Sequence, residues 1–410
     1  MRRPVLLPAS PYGRVLVVNA LIASIGFAGF AVASAVFFTS QVGLSQREVG
    51  LGLSIGGAVR LVSSIPAGWL ADRVDTRDLV VVSSLVAAVL PLGYTVVHSL
   101  AGFIVTVALL EAALGAASVG RSALLAALVP PAERVNVSAY MRSYLNIGFA
   151  LGAFMAGIVI SLDTRPAYLA LLVLNVIVEI AVTAMVVVRL PRIGPGEAAS
   201  GVADLTLALR DLPFLAVSVL AGAGRIAQTV LSLGLPLWIV AHTSAPRVLA
   251  GWLLGLNAAI VVLLQVRASR GIESAEVGAR AFARAGAAFA LAFLAIGASG
   301  FGDALVASLL LLAGLLVLTL GELWASAAEW ALRFELADPR AQGRYGGVFA
   351  LGESISDLTG PVLVTTLTST FLFGGWIALA VLVLVLGAAM LPAVRWAERT
   401  APRASVAPSG

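Results

Sequence analysis

Gly68-Trp69-Leu70-Ala71-Asp72-Arg73-Val74-Asp75-Thr76-Arg77 is a charged hairpin set between two apolar runs. One run begins at Val49 and ends in the hairpin; the next opens at Leu79. Each is long enough to cross a bilayer, because about 20 mostly apolar residues span a hydrocarbon core of roughly 30 Å. Gly68 permits close backbone approach. Asp72 can hold a helix N-terminus or an arginine, and Arg73 and Arg77 can pin acidic side chains or acidic lipid.

The rest of the chain has the composition such a hairpin implies. Apolar residues make up 60% of the 410 and charged residues only 11%, with a mean hydropathy of +1.02. A soluble domain carries roughly 25% charged residues. Most of the surface must therefore face something other than water, and the chain reads as an all-α integral membrane protein. There is no cysteine, and only His98 and His242 offer imidazole, so no metal centre or other cofactor is expected. The net charge of +5 comes from arginines with no lysine. They are scattered in short loops rather than gathered in a patch, which makes the lipid bilayer the expected partner and nucleic acid not.

Twelve spans are expected: 15–38, 49–70, 79–97, 100–129, 137–160, 167–188, 214–241, 248–266, 281–301, 304–332, 345–373 and 376–394. The first is too long for the apolar region of a signal peptide. The runs lack the period-two alternation of a membrane β-barrel, and helices are required where no water satisfies the backbone. Arginine placement sets the orientation. With the N-terminus inside, the loops outside hold only Arg47, Arg165 and Arg247, so both termini are expected in the cytoplasm and the protein in the plasma (inner) membrane. The longest polar interval, 189–211, holds Pro191, Gly194, Pro195, Gly196 and Gly201 and divides the spans six and six. The expected organisation is a bundle over 1–188, a linker over 189–211, a second bundle over 212–394 and a tail over 395–410.

The spacing Gly-x-Leu-Ala-Asp-Arg-x-x-x-Arg in Gly68–Arg77 resembles the signature loop between spans two and three of the major facilitator superfamily of secondary transporters. That resemblance implies two six-helix pseudo-repeats rocking about a central site, with spans one, four, seven and ten lining the cavity. It also implies that Asp72 engages the start of span eleven near Arg344 and Tyr345, while Arg73 and Arg77 hold neighbouring acids. The sequence departs from the family pattern at Asp75 and Thr76. The corresponding place in the second half, Arg267-Ala-Ser-Arg270-Gly271, keeps only the basic residues. In span four, Glu111-Ala-Ala-Leu-Gly115 stands where exporters often show Arg-x-x-Gln-Gly, so a role assigned to that arginine does not carry over. Gly148, Gly152 and Gly157 in span five resemble the antiporter motif of drug exporters without its Gly-Pro pair. Their plain reading is a face for close helix packing.

Ionisable side chains at the bilayer centre cost at least about 2.5–3.5 kcal/mol on insertion scales, so they need a partner or a purpose. Arg60, Glu111, Arg225, Glu322, Glu353 and Asp357 are the candidates for transport and proton coupling. A carboxylate in a closing cavity takes a proton more readily as water leaves, and less readily beside a guanidinium. Glu111 is either such a carrier or half of a structural ion pair with Arg60. Glu353 and Asp357 lie four apart on one helix face, and their alternative reading is capping or gating contacts with Arg142 or Arg344. Glu329 and Arg333 read as an exposed i,i+4 pair, and Glu179, on an outer span, as structural or shallowly placed. Asn19, Gln228, Trp238 and Trp324 are the expected polar and aromatic lining.

No nucleotide-binding or hydrolase motif is present, so no enzymatic activity is expected. The expectation is a monomeric, proton-coupled permease taking a small-molecule substrate, with efflux of drugs or hydrophobic metabolites ahead of uptake of an organic acid or other nutrient. A transporter-like sensor is the remote alternative.

Overall fold

A computed structural model describes residues 7, 8, 10–71, 73–194, 210–268, 271, 272, 274–337 and 342–400. Asp72 lies outside them, as do the side chains of Arg344 and Glu353. The described residues are helical throughout, in rods α1 (Pro11–Phe37), α2 (Gln46–Ala71), α3 (Thr76–Val89), α4 (Leu100–Leu128), α5 (Pro131–Leu162), α6 (Arg165–Arg189), α7 (Leu212–His242), α8 (Leu249–Ala268), α9 (Ala275–Ala298), α10 (Ala304–Glu335), α11 (Gln342–Phe371) and α12 (Phe373–Thr400). Ten candidate spans among the described residues are long and apolar enough to cross a membrane. The two rods that fall short are α8, whose apolar part is only Leu249–Gln265, and α11, whose first half carries Arg344, Glu353 and Asp357.

Short polar side chains start the rods by accepting from otherwise unpaired N–H groups. Ser10, Asp75, Ser99, Asp211, Ser274 and Asp303 do so for α1, α3, α4, α7, α9 and α10. Asp75, one of the family departures, thus has a local purpose: its carboxylate accepts from the N–H groups of Arg77 at 3.0 Å and Asp78 at 3.1 Å.

Rods α1 to α6 pack among themselves, with α1 against α5 and α6, and α3 and α2 against α4. Rods α7 to α12 do likewise, with α9 against α10 and α12, and α11 against α7. The two groups meet along α2–α11 and α5–α8. Small residues make these crossings possible. A Cβ on Gly251 would lie 2.2 Å from the Gly157 nitrogen and 2.3 Å from the Ala153 carbonyl oxygen, and one on Gly57 would lie 2.7 Å from the Asp357 carbonyl oxygen. Backbone thus meets backbone, as in other close membrane-helix contacts. Gly148 and Gly152 press on α1, so the glycine face of α5 is occupied by helix packing on both sides.

Candidate functional site

The buried charges of the first bundle sit on helix positions fixed by these crossings. Gly56 of α2 packs on Glu111 of α4, and Gly115 on Arg60. The Arg60 Nη1 and Glu111 Oε2 are consequently 3.2 Å apart, the Arg60 side chain about half exposed at 49% and that of Glu111 at 23%. The structural ion pair and the carrier candidate are the same pair of residues. Asp357 of α11 is exposed and lies within Coulomb range of Glu111. Beside the pair is a cavity of about 310 Å³ whose walls are mainly apolar. Its aromatic floor is a nest in which Tyr94 stacks on Phe30 at 5.7 Å and Phe38 contacts Tyr94 and Phe103 at 4.8 and 4.3 Å.

Glu179 does not have the outer, purely structural placement its span suggests. It lines this aromatic cavity and also a neighbouring one of about 330 Å³, which Arg121 and Arg60 share. The reason is helical phase: Asn175, Glu179 and Thr183 repeat every four residues and so turn one face of α6 inward.

In the second bundle α7 is broken where it matters. Its first α-helical segment ends at Gly224, Arg225 closes it, and a π-helical turn at Val230–Gly234 follows the short segment Ile226–Thr229. Such irregular turns cluster at functional sites because they re-aim side chains. Here Arg225 is aimed at Glu329, at 3.9 Å. That corrects the expectation for Glu329: its side chain is 18% exposed and faces Arg225 across the bundle rather than forming an exposed pair with Arg333. Glu322, one level deeper, accepts a 2.8 Å hydrogen bond from the Asn257 amide, which also donates to Thr319 at 3.0 Å. Arg225, Glu322 and Glu329 face a cavity of about 580 Å³ whose opposite wall carries Arg142, Ser143 and Asn146 of α5. This cavity lies between the two bundles, toward the end that holds the hairpin. Arg142 stacks over the Trp330 ring at 5.1 Å, which is its described contact, rather than meeting Asp357.

Trp238 is a second correction. It is 4% exposed, packs on Trp376 and donates to Ser299 at 3.3 Å, so it belongs to the core of the second bundle and not to a cavity wall. Asn19 and Gln228 do line cavities. Trp324 is partly buried against the core.

The opposite end is tied shut. Asp163, in the turn between α5 and α6, pairs with Arg247 just before α8. It also accepts from Ser40 at 2.9 Å, Gln41 at 3.2 Å and Tyr168 at 3.2 Å. Burial works to raise the Asp163 carboxyl, but the hydrogen bonds from Ser40, Arg247 and Tyr168 and the Arg247 charge outweigh it and hold it below the usual aspartate range. Arg47 of α2 donates to Thr370 of α11 at the same end, and Arg165 donates to the Thr95 carbonyl at 2.8 Å. The three arginines expected outside are therefore structural ties, two of them between the bundles.

The hairpin differs from its expected form. The space around Gly68 is open, so no close approach requires it. Arg73 stacks on Trp69 at 3.9 Å and donates to the Trp69 carbonyl, and among the described residues it holds no acid. Arg77 reaches Asp78 at 3.6 Å, but its closer contacts are the Val187 and Leu190 carbonyls at 3.2 and 3.0 Å, where it caps the end of α6. Asp72 lies outside the described residues. Tyr345, its expected neighbour, donates to Asp211 at 3.0 Å within the second bundle.

Sequence reasoning missed Asn257, Asp163 and the Arg121–Glu179 face. A lone asparagine in the apolar run of α8 was the available signal for the first. The other two were legible as charges but not as partners.

The sequence matches the family model described as Major Facilitator Superfamily over residues 16–361. No curated protein matches it. Solved structures similar to the chain include a bacterial homologue of the human lysosomal transporter Spinster, inward-facing and unoccupied (TM-score 0.75, 14% identity, covering 94% of this chain and 97% of that one). The peptide transporter POT in complex with sulfate is similar to the same degree (TM-score 0.75, 16% identity, 96% and 95%). So is the nucleoside transporter NupG (TM-score 0.73, 14% identity, 93% and 99%). At these identities the likeness is one of fold, and these neighbours are transporters rather than enzymes.

Proposed function

The chain belongs to the major facilitator superfamily of transporters, and we propose that it is a proton-coupled exporter of small hydrophobic molecules working by alternating access between two six-span bundles. The observation that carries this is the cavity between the bundles, charged on the α7–α10 wall and lying toward the hairpin end, while the far end is tied by Asp163–Arg247. Such an arrangement is one of the two states alternating access requires. The apolar cavity beside Arg60–Glu111 supports a hydrophobic cargo. Glu111 is the carboxylate placed to take a proton when its hold on Arg60 loosens, with Asp357 close enough to respond. On this reading the hairpin end and both termini face the cytoplasm of a plasma membrane, α8 and α11 also span, and residues 189–211 link the bundles of a functional monomer.

A polar cavity faced by Arg225 and Arg142 favours a second reading, uptake of an organic acid. Inverted vesicles separate the two. An imposed acid interior drives substrate accumulation by an antiporter, whereas a symporter gives none. Because the chain has no cysteine, a cysteine pair placed across α5 and α8 would be the sole one present. If its cross-linking left activity intact, a sensor without a transport cycle would replace both readings.

A further inference from the structure

We infer that the first bundle, with Ser232 and Leu233 of α7 at the edge of its aromatic cavity, holds a site for a zwitterionic amphiphile, with the anionic group of the ligand on Arg121, its cationic group on Glu179 and its apolar body in that cavity. Arg121 on α4 and Glu179 on α6 lie within Coulomb range of each other, yet among the described residues neither makes an ion pair or a hydrogen bond. Two opposite charges inside a membrane bundle lower their cost by closing on each other. These two instead both line the cavity of about 330 Å³. Arg60, which also borders that space, is already engaged with Glu111.

A second, independent observation points to a ligand. Asn175 and Thr183 flank Glu179 at one helical turn on either side and are 7% and 4% exposed. The Asn175 Oδ1 and the Thr183 Oγ are buried with no hydrogen-bond partner. Asn175 lines the aromatic cavity and Thr183 the charged one. Unsatisfied buried polar atoms are rare in folded proteins, and each calls for a partner or an explanation. The two cavities share Phe27, Ala87, Leu114 and Glu179 and so adjoin across these side chains, with volumes of about 310 and 330 Å³. Together they fall in the range of small-molecule sites. A ligand with one charge would leave the opposite protein charge unanswered. A ligand carrying both satisfies the pair, and its apolar remainder meets Phe30 and Tyr94.

This deepens the exporter reading by naming a class of cargo, but its test needs no gradient. Purified full-length protein in a neutral detergent is titrated with 4-phenylphenylalanine, its methyl ester (cationic only) and its N-acetyl derivative (anionic only), with apparent thermal stability as the readout. The zwitterion is expected to bind at least about tenfold more tightly than either derivative, since each loses one charge-assisted contact. Glu179→Gln is expected to erase the preference over the N-acetyl form, and Arg121→Gln the preference over the ester. If Arg121→Gln fails to fold, the Glu179→Gln comparison decides alone, and Arg121→Lys should retain the preference. Equal binding of the three forms, or preferences unchanged in the variants, would overturn the site and leave water as the bridge. Lysophosphatidylethanolamine forms the last arm. A larger, Glu179-dependent shift than that of the amino acid supports the site and assigns its ligand to membrane lipid, whereas a smaller one assigns it to free zwitterions. Zwitterion binding without gradient-driven transport would sink the exporter reading only, and transport without that binding would sink this site only.

Discussion

In the first bundle Arg60 meets Glu111 at 3.2 Å beside a cavity walled by Phe30, Tyr94 and Phe103. In the second, Glu322 takes a 2.8 Å hydrogen bond from the neutral amide of Asn257, and Arg225 stands 3.9 Å from Glu329 beside a cavity lined largely by polar groups. A guanidinium answers both the charge and the hydrogen-bonding capacity of a carboxylate; an amide answers only the second. The first bundle therefore holds its central acid as part of a pair. The second gives Glu322 the Asn257 dipole with the Arg225 charge within Coulomb range, and sets Glu329 opposite Arg225 at 3.9 Å.

The largest effect that separates the two is expected at Glu111. Glu111→Gln should lower gradient-driven transport by about 100-fold or more, the range typical of losing a positioned proton carrier, with folded protein recovered in normal yield. Loss of folded protein instead would make the pair purely structural. Asn257→Leu comes next. It leaves a deeply placed carboxylate without its donor, and a loss of about 1.5–3 kcal/mol is expected from chemical denaturation in detergent. An unchanged midpoint would mean that Glu322 has another partner. Gly251→Ala tests the joint between the bundles rather than either cluster. Its methyl meets the Gly157 backbone, and overpacking of this kind costs about 1–3 kcal/mol, seen as earlier unfolding and easier separation of α5 from α8.

The smallest effect is the tie at the far end. The Asp163 carboxyl is held below the usual range, so in the folded state it stays ionised where an unfolded aspartate would begin to protonate. Its contribution is fully present above about pH 4, the ordinary aspartate value, and is lost as pH falls through the depressed one. The stability gap between the native chain and Arg247→Gln should therefore be constant from pH 7 to about pH 5 and close below about pH 4. A gap that persisted at low pH would show that Arg247 acts through packing alone.

How far the sequence carried can be judged residue by residue. Arg60 and Glu111 were recognisable as buried charges, and their pairing was one of two stated alternatives, because both lie near the middle of long apolar runs. Glu329 was misassigned because the i,i+4 spacing to Arg333 is a local signal, while Arg225 comes from a different rod and is aimed by a break in its helix. Glu179 was set aside for the rank of its span, when the phase of its helix face was the better guide. The hairpin announced the family through its spacing, yet Arg73 found an indole, and Arg77 reaches the carbonyl end of α6 as well as the acid Asp78.

The sequence by itself determined that this chain lives in a bilayer as helices. Those properties follow from composition and run length, which no packing can alter: 60% apolar residues with 11% charged have no soluble solution. Only the tertiary structure decided which charge answers which. Glu111 lies 51 residues from Arg60 and Asp163 lies 84 from Arg247. Partners so far apart are brought together by where rods cross, and crossing is set by the packing of whole helix faces.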